Sequence, residues 1–200
     1  MPHQNRVLAT GEIIKHPSRG LFMGNRGILH DEVQSLGRAR WRHKAWVTCV
    51  LKHKDWHRQI MQPGHYTELF FLDEAVAFAA GHRPCALCRR ADYCAFVDAL
   101  DHKGSAKDLD RALHAARVIP RSTNHLRYTA DIKTLPSGTV IWREAPYLIT
   151  DTSIRQIHPD GYAAPTSRPT SGQADVLTPS VTVKALAAGY RPHLHESAKL

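Results

Sequence analysis

The chain has 200 residues, is 42% hydrophobic and carries a formal net charge of +9. That length suits one good-sized domain or two small ones, and no apolar run approaches the roughly 18 residues of a membrane span. The opening MPHQNRVLAT lacks the charged-then-apolar pattern of an export signal, so a cytoplasmic protein with reduced or metal-bound cysteines is expected.

The charge is uneven along the chain. Residues 1–60 hold 11 Lys and Arg against 4 Asp and Glu, whereas residues 61–130 hold 9 against 8 and residues 131–200 hold 7 against 6. A basic segment followed by near-neutral ones points to a surface facing a polyanion.

In chain order, HPSRG, GNRG and SLGR make residues 1–44 read as an irregular basic arm. AWVTCVL at 45–51 is rich in β-branched and aromatic residues and predicts a strand. HKDW then predicts a turn, with HRQIM returning as the second strand of a hairpin. Thr67 through Phe71 predict another strand. Asp73 is a good N-cap for a short EAVAFAA helix ended by Gly81. A second helix is expected over 89–101, with Tyr93, Phe96, Val97 and Leu100 on one face, and a third over 107–118, stopped by Pro120. From 131 onward, short β-like runs alternate with PSG, EAP and PDG turns, and LTPSVTVKALAAGY reads as a Pro-led helix closed by Gly. The fold class expected is α+β: a zinc-knuckle core of hairpin plus helices over 45–120, followed by a small β-rich unit over 131–200.

The most specific motif is GHRPCALCRR at 81–90. A C-x-x-C turn places two thiolates on one side, within reach of a single tetrahedral Zn2+. The helix that follows aims a positive dipole end at Cys85 and Cys88, which favours their ionised form. A redox pair and a plain turn are the rivals. Structural zinc normally takes four ligands. Cys49, in the predicted strand, is the better third ligand, because Cys94 sits on a helix where a free cysteine usually packs in the core. The fourth falls to His53, with His82, His57 and His30 as alternatives.

DEAVAFAAGHRPCALCRR resembles the second half of the zinc-binding domain of Ada-type DNA alkylation-repair proteins. In that family a short helix leads into an aromatic-Arg-Pro-Cys-x-x-Cys-Arg run, and the first pair is C-x-x-x-C. Here Cys49 to His53 offers C-x-x-x-H, His82 stands where the family has an aromatic, and the gap between the pairs is longer. Over residues 45–90, the resemblance implies Cys49, His53, Cys85 and Cys88 as ligands. It also implies a zinc-bound Cys49 thiolate that accepts a methyl group from a DNA phosphotriester. The chain as a whole resembles a group of uncharacterised bacterial proteins sharing YTELFFLDEA, GHRPCALCRR, LPSGTVI and AGYRP, a likeness that implies no activity.

Two further constellations bear on function. Asp110 and His114 lie four apart on a predicted helix, with Arg117 on the same face, which suits a general acid–base pair and equally an ordinary surface pair. Trp41, Trp46 and Trp56 interleave with Arg40, Arg42, Lys44, Lys52, Lys54 and Arg58, a mixture that suits phosphate contact and base stacking. The function expected is nucleic-acid binding, DNA ahead of RNA, on a structurally zinc-stabilised protein. Arg42, Lys44, Lys52, Arg83, Arg89 and Arg90 would contact phosphates. The alternative is an enzyme acting on nucleic acid, through Cys49 as a zinc-thiolate alkyl acceptor or through Asp110 and His114 as a hydrolase pair.

Overall fold

The structure, a computed structural model, describes residues 1–55 and 59–199. The first sheet is built from β1 (Gln4–Val7), β2 (Ile13–Lys15), β3 (Phe22–Asn25), β4 (Val47–Val50), β5 (Leu69–Phe71) and, after helix α1 (Glu74–Ala79), β6 (Arg83–Pro84). Its strand order is β2-β1-β5-β3-β4-β6. Helices α2 (Arg90–Ala99) and α3 (Ala106–Ala115) follow. The second sheet uses β7 (Tyr128–Asp131), β8 (Val140–Trp142), β9 (Pro146–Ile149), β10 (Ser153–His158), β11 (Gly161–Tyr162), β12 (Thr166–Ser167) and β13 (Gln173–Val176), and α4 (Ser180–Ala187) comes last. Its order is β11-β10-β9-β8-β13-β7, with β12 paired to β10. The fold is therefore α+β, as expected.

Helix α1 is the wall the two sheets share. Asp73 caps it by accepting from the Val76 N–H at 3.0 Å. The helix stops at Gly81, whose φ of +82° suits glycine and where a Cβ would sit 2.0 Å from the Arg117 side chain. All six helical residues are buried. Ala77 and Ala80 pack on Val7, Ile13, Leu69 and Phe71 of the first sheet. Ala75, Val76 and Ala79 pack on Val140, Leu148 and Leu177 of the second. Helices α2, α3 and α4 share a third cluster through Phe96, Leu113 and Leu186, with Phe78 of α1 inside it. The β-rich last third is thus packed on the rest through a common core.

Two expectations are corrected here. Residues 1–44 are not an irregular arm, because they supply β1, β2 and β3. These strands are three or four residues long, too short for a periodic signal, and nonlocal pairing orders them: β1 runs parallel to β5, and β3 is antiparallel to both β5 and β4. The hairpin around Cys49 also forms with a different partner. β4 pairs antiparallel with β3, upstream of it, and parallel with β6, while Gln59 to Met61 form no strand. Trp56, His57 and Arg58 lie outside the described residues.

Candidate metal centre

Strand β6 brings the C-x-x-C turn to Cys49. Val47 pairs with Arg83 and Thr48 with Pro84, in parallel register. Pro84 donates no hydrogen bond, which an edge strand tolerates. The Cys85 N–H then donates to the Thr48 carbonyl at 2.9 Å, extending the ladder to the first thiol. The chain turns into α2 at once: the Leu87 N–H donates to Cys85 Sγ at 3.4 Å and the Arg89 N–H to the Cys85 carbonyl at 3.1 Å. Thr48 is buried and its neighbour Cys49 faces the other side of the sheet, because side chains alternate along a strand.

The Sγ atoms of Cys49, Cys85 and Cys88 all lie within 4.8 Å of one another. Zn–S bonds of about 2.3 Å in a tetrahedron put sulfurs roughly 3.8 Å apart, so the three thiols need only a small contraction to share one ion. All three are half-buried. Hydrogen bonds to Cys85 and Cys88, with burial, push the Cys49 thiol up. The same contacts, from Cys49 and Cys88, pull Cys85 down. Three thiolates this close repel one another, and a divalent cation is what lets them stand together. The donor set is soft and suits zinc.

The fourth-ligand candidates separate clearly. His53 is not in the three-thiol cluster but lines the cavity of about 950 Å³ onto which the thiols open. His82 is buried behind the sheet, with ring centroids 4.6 Å from Phe71 and 5.4 Å from Trp46, and takes the Arg26 Nε–H at 3.4 Å. His30 bonds Thr67 Oγ1 through Nδ1 at 2.7 Å and the Gln62 carbonyl through Nε2 at 3.3 Å. His57 falls outside the described residues. Cys94 is free on α2 and outside the cluster, as expected, but is half-buried rather than part of the core.

The six residues expected to contact phosphate divide. Arg42, Lys44, Lys52 and Arg90 are exposed. Arg83 and Arg89 are not, and their expected role is corrected. Arg83 grips Asp110 with two hydrogen bonds, Nε to Oδ1 at 2.7 Å and Nη2 to Oδ2 at 2.9 Å. Arg89 donates from Nε to Asp92 Oδ2 at 2.9 Å and from Nη1 to Thr48 Oγ1 at 2.8 Å. Its Nη2 stands 2.7 Å from Glu74 Oε1, an ion-pair contact off the ideal hydrogen-bond line, with side-chain exposures of 2% and 0%. A buried charge is costly unless it is paired, and both of these arginines are paired with carboxylates inside the protein.

That pairing also separates Asp110 from His114. The carboxylate expected to orient the histidine belongs to Arg83. The His114 ring lies edge-on to Trp41 at 4.5 Å and to Trp46 at 5.9 Å, and its Nδ1 has no hydrogen-bond partner among the described residues. Burial and the nearby Arg117 lower His114 to about 4, so its ring is neutral at pH 7. No acid–base dyad is assembled there.

Sequence reasoning missed the row that continues from Cys49 across the sheet. Cys49 pairs with Met23, Met23 with Phe70, and Phe70 with Arg6. Cross-strand partners share a face, and all four side chains line the same cavity. Nothing local marks Arg6, since its place depends on the parallel pairing of β1 with β5. No family model, curated protein or solved structure matches the chain, and the site is therefore read from its own geometry.

Proposed function

We propose that this protein holds a zinc ion on Cys49, Cys85 and Cys88 and leaves the fourth position to a ligand that enters the adjoining cavity. The observation that carries the reading is the gathering of three thiols on a cavity wall with no other His, Cys, Asp or Glu atom in their cluster among the described residues. Closed structural sites have four protein ligands, whereas sites that handle substrate keep one position open. A zinc ion bound in this way supplies a Lewis acid and a nucleophilic thiolate. Cys49 lines the cavity, which accords with the acceptor role that the Ada-type resemblance implies for it. The test is metal content and the cobalt(II)-substituted spectrum of the full chain. One ion per chain with thiolate-to-cobalt charge transfer is expected, along with its loss in Cys85→Ser. An unchanged cobalt spectrum in both His53→Ala and His57→Ala supports the open fourth position. A collapse of the tetrahedral bands in either variant would make that histidine the fourth ligand and close the site.

A second reading, contact with a nucleic-acid backbone, rests on four exposed cations, Arg42, Lys44, Lys52 and Arg90, and on the basic first 60 residues. It predicts a salt-dependent duplex-DNA shift that weakens on the order of tenfold in Lys52→Glu/Arg90→Glu, since phosphate contacts dominate such binding. DNA affinity that ignores both the salt and the charge reversal excludes it.

A further inference from the structure

The cavity beside the thiols has two chemically distinct ends. Cys49, Met23, Phe70 and Arg6 form one cross-strand row over β4, β3, β5 and β1, and all four line the cavity. Three strand spacings of about 4.8 Å place the outer members roughly 14 Å apart at the backbone. Between the thiols and the arginine lies an apolar floor made by Met23 and Phe70.

Arg6 is the unusual residue of this row. It is 2% exposed. Its Nη2 donates to the Pro159 carbonyl, while its Nη1 is buried with no hydrogen-bond partner among the described residues. Asp73 and Asp160 act on it electrostatically, yet neither forms an ion pair with it. Asp73 is already occupied, accepting from the Val76 N–H, the Tyr162 hydroxyl and the His195 N–H. The carboxylate of Glu68, which also lines the cavity, accepts the Met61 N–H at 2.7 Å. Arg83 and Arg89 each have a carboxylate in contact, whereas Arg6, like the buried Arg26 and Arg117, has none among the described residues. A buried guanidinium with an unpartnered N–H, on a side chain that lines the cavity, is suited to receive an oxyanion.

We propose that the cavity takes an elongated organic oxyanion. Its anionic group, a carboxylate or phosphate, sits on Arg6, its apolar body lies along Phe70 and Met23, and its far end supplies the donor that completes the metal centre. This rests on the open fourth position argued above. The volume, about 950 Å³, is that of a pocket for a small organic ligand. One ligand bridging both ends gains from each without a second association cost.

The experiment uses the cobalt-loaded full chain, titrated with mercaptooctanoate, mercaptooctanol and mercaptopropionate and read by the cobalt d–d bands. Each thiol binds the open position as a thiolate, its proton passing to buffer, and only mercaptooctanoate carries a carboxylate far enough to reach Arg6. Mercaptooctanoate is expected to bind about tenfold or more tightly than mercaptooctanol, as a charge-assisted hydrogen bond predicts, although the alcohol is the more apolar molecule. Arg6→Gln is expected to abolish that preference while leaving mercaptopropionate unchanged. If the variant does not fold, the wild-type comparison decides alone. Equal affinities of the two long thiols, with clear band shifts for both, overturn the inference and leave the metal reading intact. Failure to take up cobalt overturns the metal reading and this inference with it, whereas cobalt bands that no thiol shifts close the fourth position and overturn this inference while leaving the three-thiol metal site. An octyl phosphonate that competes with mercaptooctanoate better than octanoate does assigns the Arg6 end to phosphate, and the reverse order assigns it to carboxylate.

Discussion

A basic residue near a C-x-x-C motif reads as a phosphate contact, and at Arg89 that reading fails because of where the side chain goes. Arg89 lies under the knuckle with Glu74, Asp92 and Thr48 around it and with its guanidinium 4.2 Å from the Phe22 ring. Removing it strands the Glu74 carboxylate with only the Tyr190 hydroxyl and the His193 N–H as donors among the described residues. Arg89→Met is therefore expected to lower unfolding free energy by about 3–5 kcal/mol, the usual cost of breaking a buried pair. Arg90→Met, one residue on and exposed, should cost less than about 0.5 kcal/mol. Urea denaturation of the two variants checks this, and similar midpoints for both would sink the assignment. The sequence places these arginines side by side with identical chemistry, and only burial distinguishes them.

At the scale of elements, the junctions around α1 create a second unusual environment. Trp46, just before β4, has the Arg26 guanidinium 4.1 Å and the Arg117 guanidinium 3.8 Å from its ring centroid. Both arginines are buried and donate from their terminal nitrogens to carbonyls, Arg26 to Gly11 and Ala80 and Arg117 to Gly81 and Lys44. His82 and His125 pack against the same indole at 5.4 and 5.7 Å. Burial, then the two guanidiniums, hold both histidines well below the ordinary imidazole range. A histidine whose folded pKa is depressed binds fewer protons folded than unfolded. The stability this represents is present above the unfolded pKa of about 6.5 and is lost as pH falls below it. Between pH 7 and pH 5 the loss is bounded at about 2 kcal/mol per histidine by protonation of the unfolded chain. His125→Phe should lose correspondingly less over the same interval in urea melts. Equal losses in variant and wild type would show that these rings do not govern acid stability.

Over the whole molecule, α1 and the C-terminal segment join what sequence texture divides. Every residue of α1 is buried, which accounts for the alanines, valine and phenylalanine that follow Glu74. The two carboxylates at its start are held by the far end of the chain: Glu74 by Tyr190 and His193, Asp73 by Tyr162 and His195. The change of texture near residue 131 is real as a change from helices to strands, but Phe78, Phe96 and Leu113 share a core with Ala185, Leu186 and Tyr190 across it. The thiol centre sits at the edge of the first sheet, where β6 leads into α2.

The sequence by itself determined the features whose signals are local. The Asp73 cap and the Gly81 stop bound α1 within a residue or two, and the C-x-x-C spacing identified Cys85 and Cys88. The β-branched run around Cys49 marked its strand, and the mixed α+β class followed. Tertiary structure alone decided which elements meet. It paired β4 with β6 so that Cys49 completes the thiol cluster, and β1 with β5 so that Arg6 closes the far end of the same cavity. It also sent Arg83 and Arg89 inward to carboxylates while leaving Arg42, Lys44, Lys52 and Arg90 outside. Caps, turns and knuckles are set by neighbours a few residues apart, whereas parallel strand pairing and the burial of a charge depend on partners tens of residues away, which no local pattern encodes.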